Sequence, residues 1–197
     1  MKHIKRITVV RVIILFIIMA LLIFPFESAG ITFLNLFVNE KIVINIKYII
    51  IAFFFALAII TNFIEGRLLK KIGENKENAL IKDDLINRIL VDTILIVLAS
   101  QGFIHPIIPI VVIARDSIVS SIRMTILSKG KELKSSNTSK FKNILLMLGI
   151  FLTLIYNLPF ELYNLKVSDI ILVIATTLAA ISCGEYYSEN KKMVIQK

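Results

Sequence analysis

Four polar residues stand at helical spacing on the flanks of two apolar stretches. Asn62 and Glu65 are three positions apart, and Asp83 and Asn87 four. Residues at these separations share a helix face. Each pair can therefore turn its oxygens to one place, and two helices joined by the short charged connector between them can bring the pairs together. Oxygen clusters of this kind suit hard divalent cations. A second set lies further on, where Asp116 and Arg123 are seven apart and Arg115 lies eight before Arg123. Two arginines turned into one cavity suit a phosphate or another anion. The same charges can instead pair with the aspartates of the preceding helix. Asp84, Arg88 and Asp92 follow i, i+4, i+8, a spacing that allows a charge ladder along one face, structural or functional.

The elements that must hold these residues are apolar helices. The chain has 197 residues, 57% hydrophobic, with no tryptophan and few glycines and prolines, and its mean hydropathy is +0.83. Disordered and fibrous classes do not fit this composition. The apolar residues come in blocks and do not alternate, which argues against a membrane β-barrel. A span needs about 20 apolar residues. The sequence predicts an all-α, polytopic membrane protein with six transmembrane helices, near residues 7–26, 43–64, 80–100, 107–127, 141–155 and 167–182. Residues 25–41 read as a loop with an amphipathic portion (Ile31, Phe33, Leu34, Leu36, Phe37) at the membrane interface, and residues beyond 182 as a polar tail. Residues 1–197 read as one domain without internal repeats. The lone Cys183 excludes an internal disulfide and suits a small packed residue.

Lysine and arginine placement sets orientation. Fifteen basic residues fall on one side, among them Lys2, Arg67, Lys70, Lys129, Lys140, Lys142 and Lys192, against Lys41, Lys47 and Lys166 on the other. Both termini are thus expected in the cytoplasm, with residues 62–87 at the cytoplasmic face. A net charge of +9 in such a chain points to anionic lipid and not to nucleic acid.

The spacing resembles the signature of the CDP-alcohol phosphatidyltransferases, D-x-x-D-G-x-x-A-R, eight or nine residues, then G-x-x-x-D-x-x-x-D. Here the chain has Asn62-x-x-Glu65-Gly66-x-x-Leu69-Lys70, eight residues, then Ala79-x-x-x-Asp83-x-x-x-Asn87. Two more segments are similar. Ile7-Thr8-Val9-Val10-Arg11 looks like the L-T-L-x-R that opens the family, and residues 114–123 look like the G-R-E-x-x-V-S-x-L-R of its phosphatidylglycerophosphate synthase branch. The resemblance implies a bacterial cell-membrane enzyme of phospholipid biosynthesis, working as a homodimer. Its substrates would be CDP-diacylglycerol, or an anionic phospholipid in a silent relative, and a small phosphorylated alcohol, glycerol 3-phosphate in this branch. Asn62, Glu65 and Asp83 would stand at metal positions for magnesium or manganese. Asn87 would stand at the general-base position, Gly66, Lys70 and Ala79 at nucleotide-binding positions, and Arg115 and Arg123 at the acceptor's phosphate.

Only Gly66 and Asp83 are identical to the signature. Asparagine at 62 offers magnesium a neutral oxygen without charge. Glu65 keeps its charge on a side chain one methylene longer, and Lys70 keeps a charge without a bidentate fork. The amide of Asn87 cannot accept a proton at neutral pH. Three expectations follow: a divergent transferase, a catalytically silent relative that binds a lipid headgroup or a partner and needs no metal, or intramembrane charges that pair only structurally.

Overall fold

The computed structural model describes residues 2–26, 28–39, 42–69, 76–128 and 137–195. Its elements are α1 (Lys2–Ile23), β1 (Asn35–Asn39), β2 (Ile42–Asn45), α2 (Ile46–Leu69), α3 (Lys76–Ser100), α4 (Ile107–Ser128), α5 (Asn137–Leu154), a 3-10 turn (Phe160–Tyr163) and α6 (Val167–Ile195). The six helices fall on the six apolar stretches, and the described residues are all-α apart from one hairpin. Two stretches, Ile46–Glu65 and Val167–Ser188, are long and apolar enough to cross a membrane; Thr8–Ile23 is a shorter apolar helix.

Each helix turns a narrow stripe inward. Ile14, Ile18 and Leu22 of α1, Ile51, Phe55 and Ala58 of α2, and Val91, Ile94, Leu95 and Leu98 of α3 share one core with Leu146, Ile150 and Leu154 of α5 and Leu172 and Ala175 of α6. The i, i+3/i+4 spacing of these residues is that of a helix face. The outward faces stay apolar, with Phe16, Phe53, Ile110 and Ile170 all exposed. Helices apolar all round suit a hydrocarbon surround.

Three differences from the sequence reading have local causes. First, α1 ends at Ile23 and not at Phe26, because the residue before Pro25 is driven out of helical conformation. Second, the interfacial loop carries an antiparallel hairpin, with Leu36 opposite Ile44 and Phe37 opposite Val43. Its run of β-branched and aromatic residues favours strand. Third, the expected polar tail is helical through Ile195. Within this added length Asn190 donates back to the Tyr186 carbonyl at 2.8 Å, and Tyr186 packs on Val119, Ile122 and Ile126 of α4.

Interhelical joints fix the end of the bundle away from residues 62–87. After α3, the Phe103 N–H reaches the Leu98 carbonyl and the Gly102 N–H the Ala99 carbonyl, a paired closure that needs the left-handed φ of +78° at Gly102. After α5, Asn157 donates to Leu165 O and Glu161 Oε2 and accepts from the Ser168 N–H. That one side chain ties the end of α5 to the start of α6. A cavity of about 320 Å³ lies at this end, lined by residues including Tyr156, Asn157, Glu161, Lys166 and Asp169.

Candidate functional site

Three helices converge on the positions singled out by spacing. Asn62 and Glu65 lie in the last turns of α2 and Asn87 in the first half of α3. The Asn62 amide donates from Nδ2 to Asn87 Oδ1 at 3.2 Å, so the two halves of the spaced pattern meet. The third helix is α1. Arg11 Nη2 lies 2.9 Å from Glu65 Oε2 and donates to Asn62 Oδ1 at 3.2 Å. Thr8, one turn earlier on the same face, donates to Glu65 Oε1 at 2.6 Å. Arg11 and Glu65 are 1% and 2% exposed. Buried charges persist when they are paired and hydrogen-bonded, and here each has its counter-charge. Lys70 lies outside the described residues, as do the side chains of Asp83, Asp84 and Ala79 and the surroundings of Gly66.

A second polar cluster joins α3, α4, α5 and α6. Arg115 donates through Nε to Ser182 Oγ at 3.1 Å, through Nη1 to Asp116 Oδ1 at 2.7 Å and through Nη2 to Ser139 Oγ at 2.5 Å. Lys142 Nζ donates to Asp116 Oδ1 at 3.2 Å. Arg88 donates to the Asp116 carbonyl at 2.9 Å and to the Ser120 hydroxyl, and Ser120 in turn donates to that carbonyl at 2.6 Å. A cleft of about 10 Å³, at most one water in size, separates the two clusters; Asn87, Arg88, Asp116 and Asn143 line it.

Arg115 and Arg123 fare differently. Arg115 is buried and already spans α4, α5 and α6. Its carboxylate partner comes from its own helix, not from α3. Arg123 is half-buried, with its guanidinium 5.8 Å from the centre of the Tyr186 ring. Arg88, placed in a ladder along α3 by spacing, reaches across to α4. Lys142, counted among the basic residues of the cytoplasmic side, is 1% exposed and faces Asp116. The signal was present: Lys142 lies four before Leu146 and eight before Ile150, both in the core stripe of α5. Ser139 and Ser182 carried no such signal, because a hydroxyl suits a lipid-facing helix as well as a buried one, whereas Thr8 was marked as part of the opening motif.

The described oxygens do not fit a pair of divalent cations. Among the signature positions whose side chains are described, Glu65 is the one carboxylate. Thr8 donates to its Oε1, and its Oε2 lies 2.9 Å from Arg11 as an ion contact but accepts no hydrogen bond among the described residues. Asn62 and Asn87 bring neutral oxygens, and the two amides bond each other. Metal affinity follows ligand charge, and this set has little charge to give.

Comparison with known proteins agrees with the spacing. The model of the family described as CDP-alcohol phosphatidyltransferase matches residues 5–181. The chain is 25% identical over 186 residues to the CDP-diacylglycerol–glycerol-3-phosphate 3-phosphatidyltransferase of Bacillus subtilis (strain 168), covering 94% of this chain and 93% of that one. It is 28% identical over 110 residues to the protein of the same name from Mycoplasma genitalium, covering 56% of this chain and 47% of that one. With a match over most of its length, and with the signature spacing held between α2 and α3, the chain belongs to the CDP-alcohol phosphatidyltransferase family.

Proposed function

We propose that the chain is a phosphatidylglycerophosphate synthase-like membrane protein of phospholipid biosynthesis. Its substrates are CDP-diacylglycerol and glycerol 3-phosphate, and its products phosphatidylglycerophosphate and CMP. The observation that carries the reading is the bond between Asn62 and Asn87, which joins the two halves of the family signature. The near full-length similarity to the Bacillus subtilis enzyme supports the choice of acceptor. In this reading the single domain crosses the bacterial cell membrane six times with both termini in the cytoplasm, and two copies form a homodimer. Asn62, Glu65 and Asp83 hold the metal positions, Gly66, Lys70 and Ala79 flank the nucleotide, and Arg123, with Arg115 behind it, faces the acceptor's phosphate.

In the reaction an acceptor oxygen replaces CMP on the lipid-side phosphorus. The family uses magnesium or manganese to stabilise charge on the transferring group, a contribution worth several kcal/mol. The residues of this chain bind and orient instead. Arg123 offers a cation to the acceptor, and Arg115 stiffens α4 against α5 and α6. Asn87 can hold the acceptor hydroxyl by hydrogen bonding but cannot take its proton.

A second reading, a catalytically silent relative that binds a lipid headgroup or a partner protein, is favoured by the contacts of Glu65, whose carboxylate serves α1. One assay separates the two. CMP release from CDP-diacylglycerol is measured with glycerol 3-phosphate, for the natural chain and for Asn62→Asp, Glu65→Asp, Ala79→Gly and Asn87→Asp combined. The transferase reading expects slow release by the natural chain and a magnesium-dependent rise of at least tenfold in the combined variant. No release by the natural chain with any phosphorylated alcohol, beside release by the variant, assigns it the silent role. No release by either overturns both the acceptor and the site.

A further inference from the structure

The Nη2 nitrogen of Arg11 stands between two positions that a metal ion would share. It lies 2.9 Å from Glu65 Oε2 and 3.2 Å from Asn62 Oδ1. A divalent cation bridging those side chains would occupy the same space and carry the same sign of charge. We infer that Arg11 is the resident cation of this site, and that its guanidinium, not a divalent metal, neutralises Glu65. The inference rests on the assignment of Asn62 and Glu65 to metal positions, and it deepens that assignment.

Three features of this chain support the substitution. The first is reach. Glutamate is longer than aspartate by one carbon, about 1.5 Å. That extra methylene lets the Glu65 carboxylate, anchored on α2, touch α1, where Thr8 takes one oxygen and Arg11 the other. An aspartate at the same position would end one carbon short of both. The second is charge. Arg11 and Glu65 are both buried, so neither charge is screened by solvent, and a buried ion is tolerated only beside its counter-charge. The third is the neighbouring amide. Asn62 gives its oxygen to Arg11 and its N–H to Asn87, so its polar atoms are committed in the direction that keeps the guanidinium in place. With Glu65 paired to Arg11, Asp83 is the other carboxylate at the signature positions, and one carboxylate with neutral oxygens is a weak divalent site.

The test reads metal binding directly, independent of turnover. Purified full-length protein in detergent is stripped with EDTA, and Mn2+ is titrated while free Mn2+ is followed by electron paramagnetic resonance; thermal unfolding is recorded with and without the ion. The natural chain is expected to bind no Mn2+ up to ~1 mM, the weak end of the range for oxygen sites, and to unfold at the same temperature in Mn2+ and in EDTA. Arg11→Gln combined with Glu65→Asp, which removes the cation and shortens the carboxylate, is expected to bind Mn2+ at least tenfold more tightly than the natural chain. Binding of Mn2+ by the natural chain well below ~1 mM, weakened tenfold or more in Glu65→Gln, overturns the inference. So does a natural chain whose unfolding temperature rises in Mn2+, a result that needs no variant to fold. Either outcome leaves the transferase reading standing, because that reading is decided by CMP release.

Discussion

Arg115 and Asp116 are adjacent in sequence, yet their side chains meet as a buried ion pair at 2.7 Å. Neighbours on a helix point about 100° apart, so the contact needs both side chains to fold toward the same seam. Lys142 supplies the reason from α5 by donating to the same carboxylate oxygen. Ser139 and Ser182 hold the remaining faces of the guanidinium. The expected outcome is that Arg115→Ala destabilises the protein by about 3–5 kcal/mol, the usual loss when one partner of a buried pair is removed. Arg115→Lys should recover part of this, since one ammonium cannot reach three partners on three helices. Thermal unfolding in detergent measures both.

Arg123 should behave in the opposite way. It is half-buried and rests over Tyr186, a contact worth about 0.5–1 kcal/mol where exposed. Arg123→Ala is expected to leave the unfolding temperature within ~4 °C of the natural chain. If it faces the acceptor's phosphate, the same variant weakens glycerol 3-phosphate binding by tenfold or more, an effect of about 1.4 kcal/mol. Isothermal titration of glycerol 3-phosphate into the two proteins checks the point. Unchanged binding would remove Arg123 from the acceptor site.

The difference between these arginines shows how far the sequence was legible. Helix positions follow from apolar blocks bounded by Pro25, Gly102, Pro106 and Pro159, and seven helix starts or ends fall within three residues of the expected places. Which residues share a face was also legible, because that depends on period alone. Asn62, Glu65 and Asn87 converge as spacing requires. Contact partners were not legible. Lys142 reads as a basic residue at the start of a span, on its core stripe but with no named partner, until α5 is packed on α4, and Arg11 reads as one basic residue of an opening motif until α1 lies on α2. A helical period orders residues within an element and says nothing of which neighbour lies opposite. The hairpin was missed for another reason. Residues 31–37 are apolar enough to lie on a membrane in any conformation, so their strand preference was outweighed by composition.

Gly149 lies where α5 packs tightly against Leu172 of α6. A Cβ built there would lie 2.7 Å from Leu172 Cδ2 and 2.8 Å from its Cγ, whereas nothing lies within 4 Å of a Cβ at Gly184. Small residues at helix seams let backbones approach in a bilayer. Gly149→Ala should therefore force α5 and α6 apart and destabilise the protein by about 1–3 kcal/mol, the range for overpacking. Gly184→Ala should be neutral or slightly stabilising, since alanine favours helix by about 1 kcal/mol. Equal unfolding temperatures for the two variants would show that the α5–α6 seam absorbs a methyl group.

Tyr156 joins the hairpin to the end of α5, accepting the Asn45 N–H at 3.1 Å among the rings of Tyr48 and Phe103. Burial raises its hydroxyl above the ordinary value of 10.0, and the bond from Asn45 opposes this in part. The folded state thus holds the proton more tightly than the unfolded one. Its contribution to stability is complete below pH 10.0 and is lost as pH rises through the higher folded value. Tyr156→Phe removes that alkaline loss. It also leaves the Asn45 N–H without its acceptor, and is expected to destabilise the protein at neutral pH by about 1–3 kcal/mol. Unfolding followed across the alkaline range separates the two effects, because only the natural chain should show the steeper fall.

The Asn62–Asn87 bond yields the sharpest charge test. With two amides, one donates and the other accepts, and the pair holds at 3.2 Å without an ion. Asn62→Asp alone keeps a partner, since the Asn87 amide can turn its N–H to the new carboxylate and Arg11 already lies 3.2 Å from that position. Asn87→Asp alone also keeps one, because the Asn62 N–H then meets a charged acceptor, a stronger bond than the neutral one. Together the two substitutions set carboxylates against each other with no proton between them. At an effective dielectric near 20, two like charges about 4 Å apart repel by roughly 4 kcal/mol. The double variant should therefore be less stable in EDTA than the sum of the single ones, with a coupling of about 1–4 kcal/mol. Magnesium should restore most of that loss in the double variant and change neither single variant. Additive effects, equal with and without magnesium, would mean that residues 62 and 87 do not share a cation site even when both are acidic.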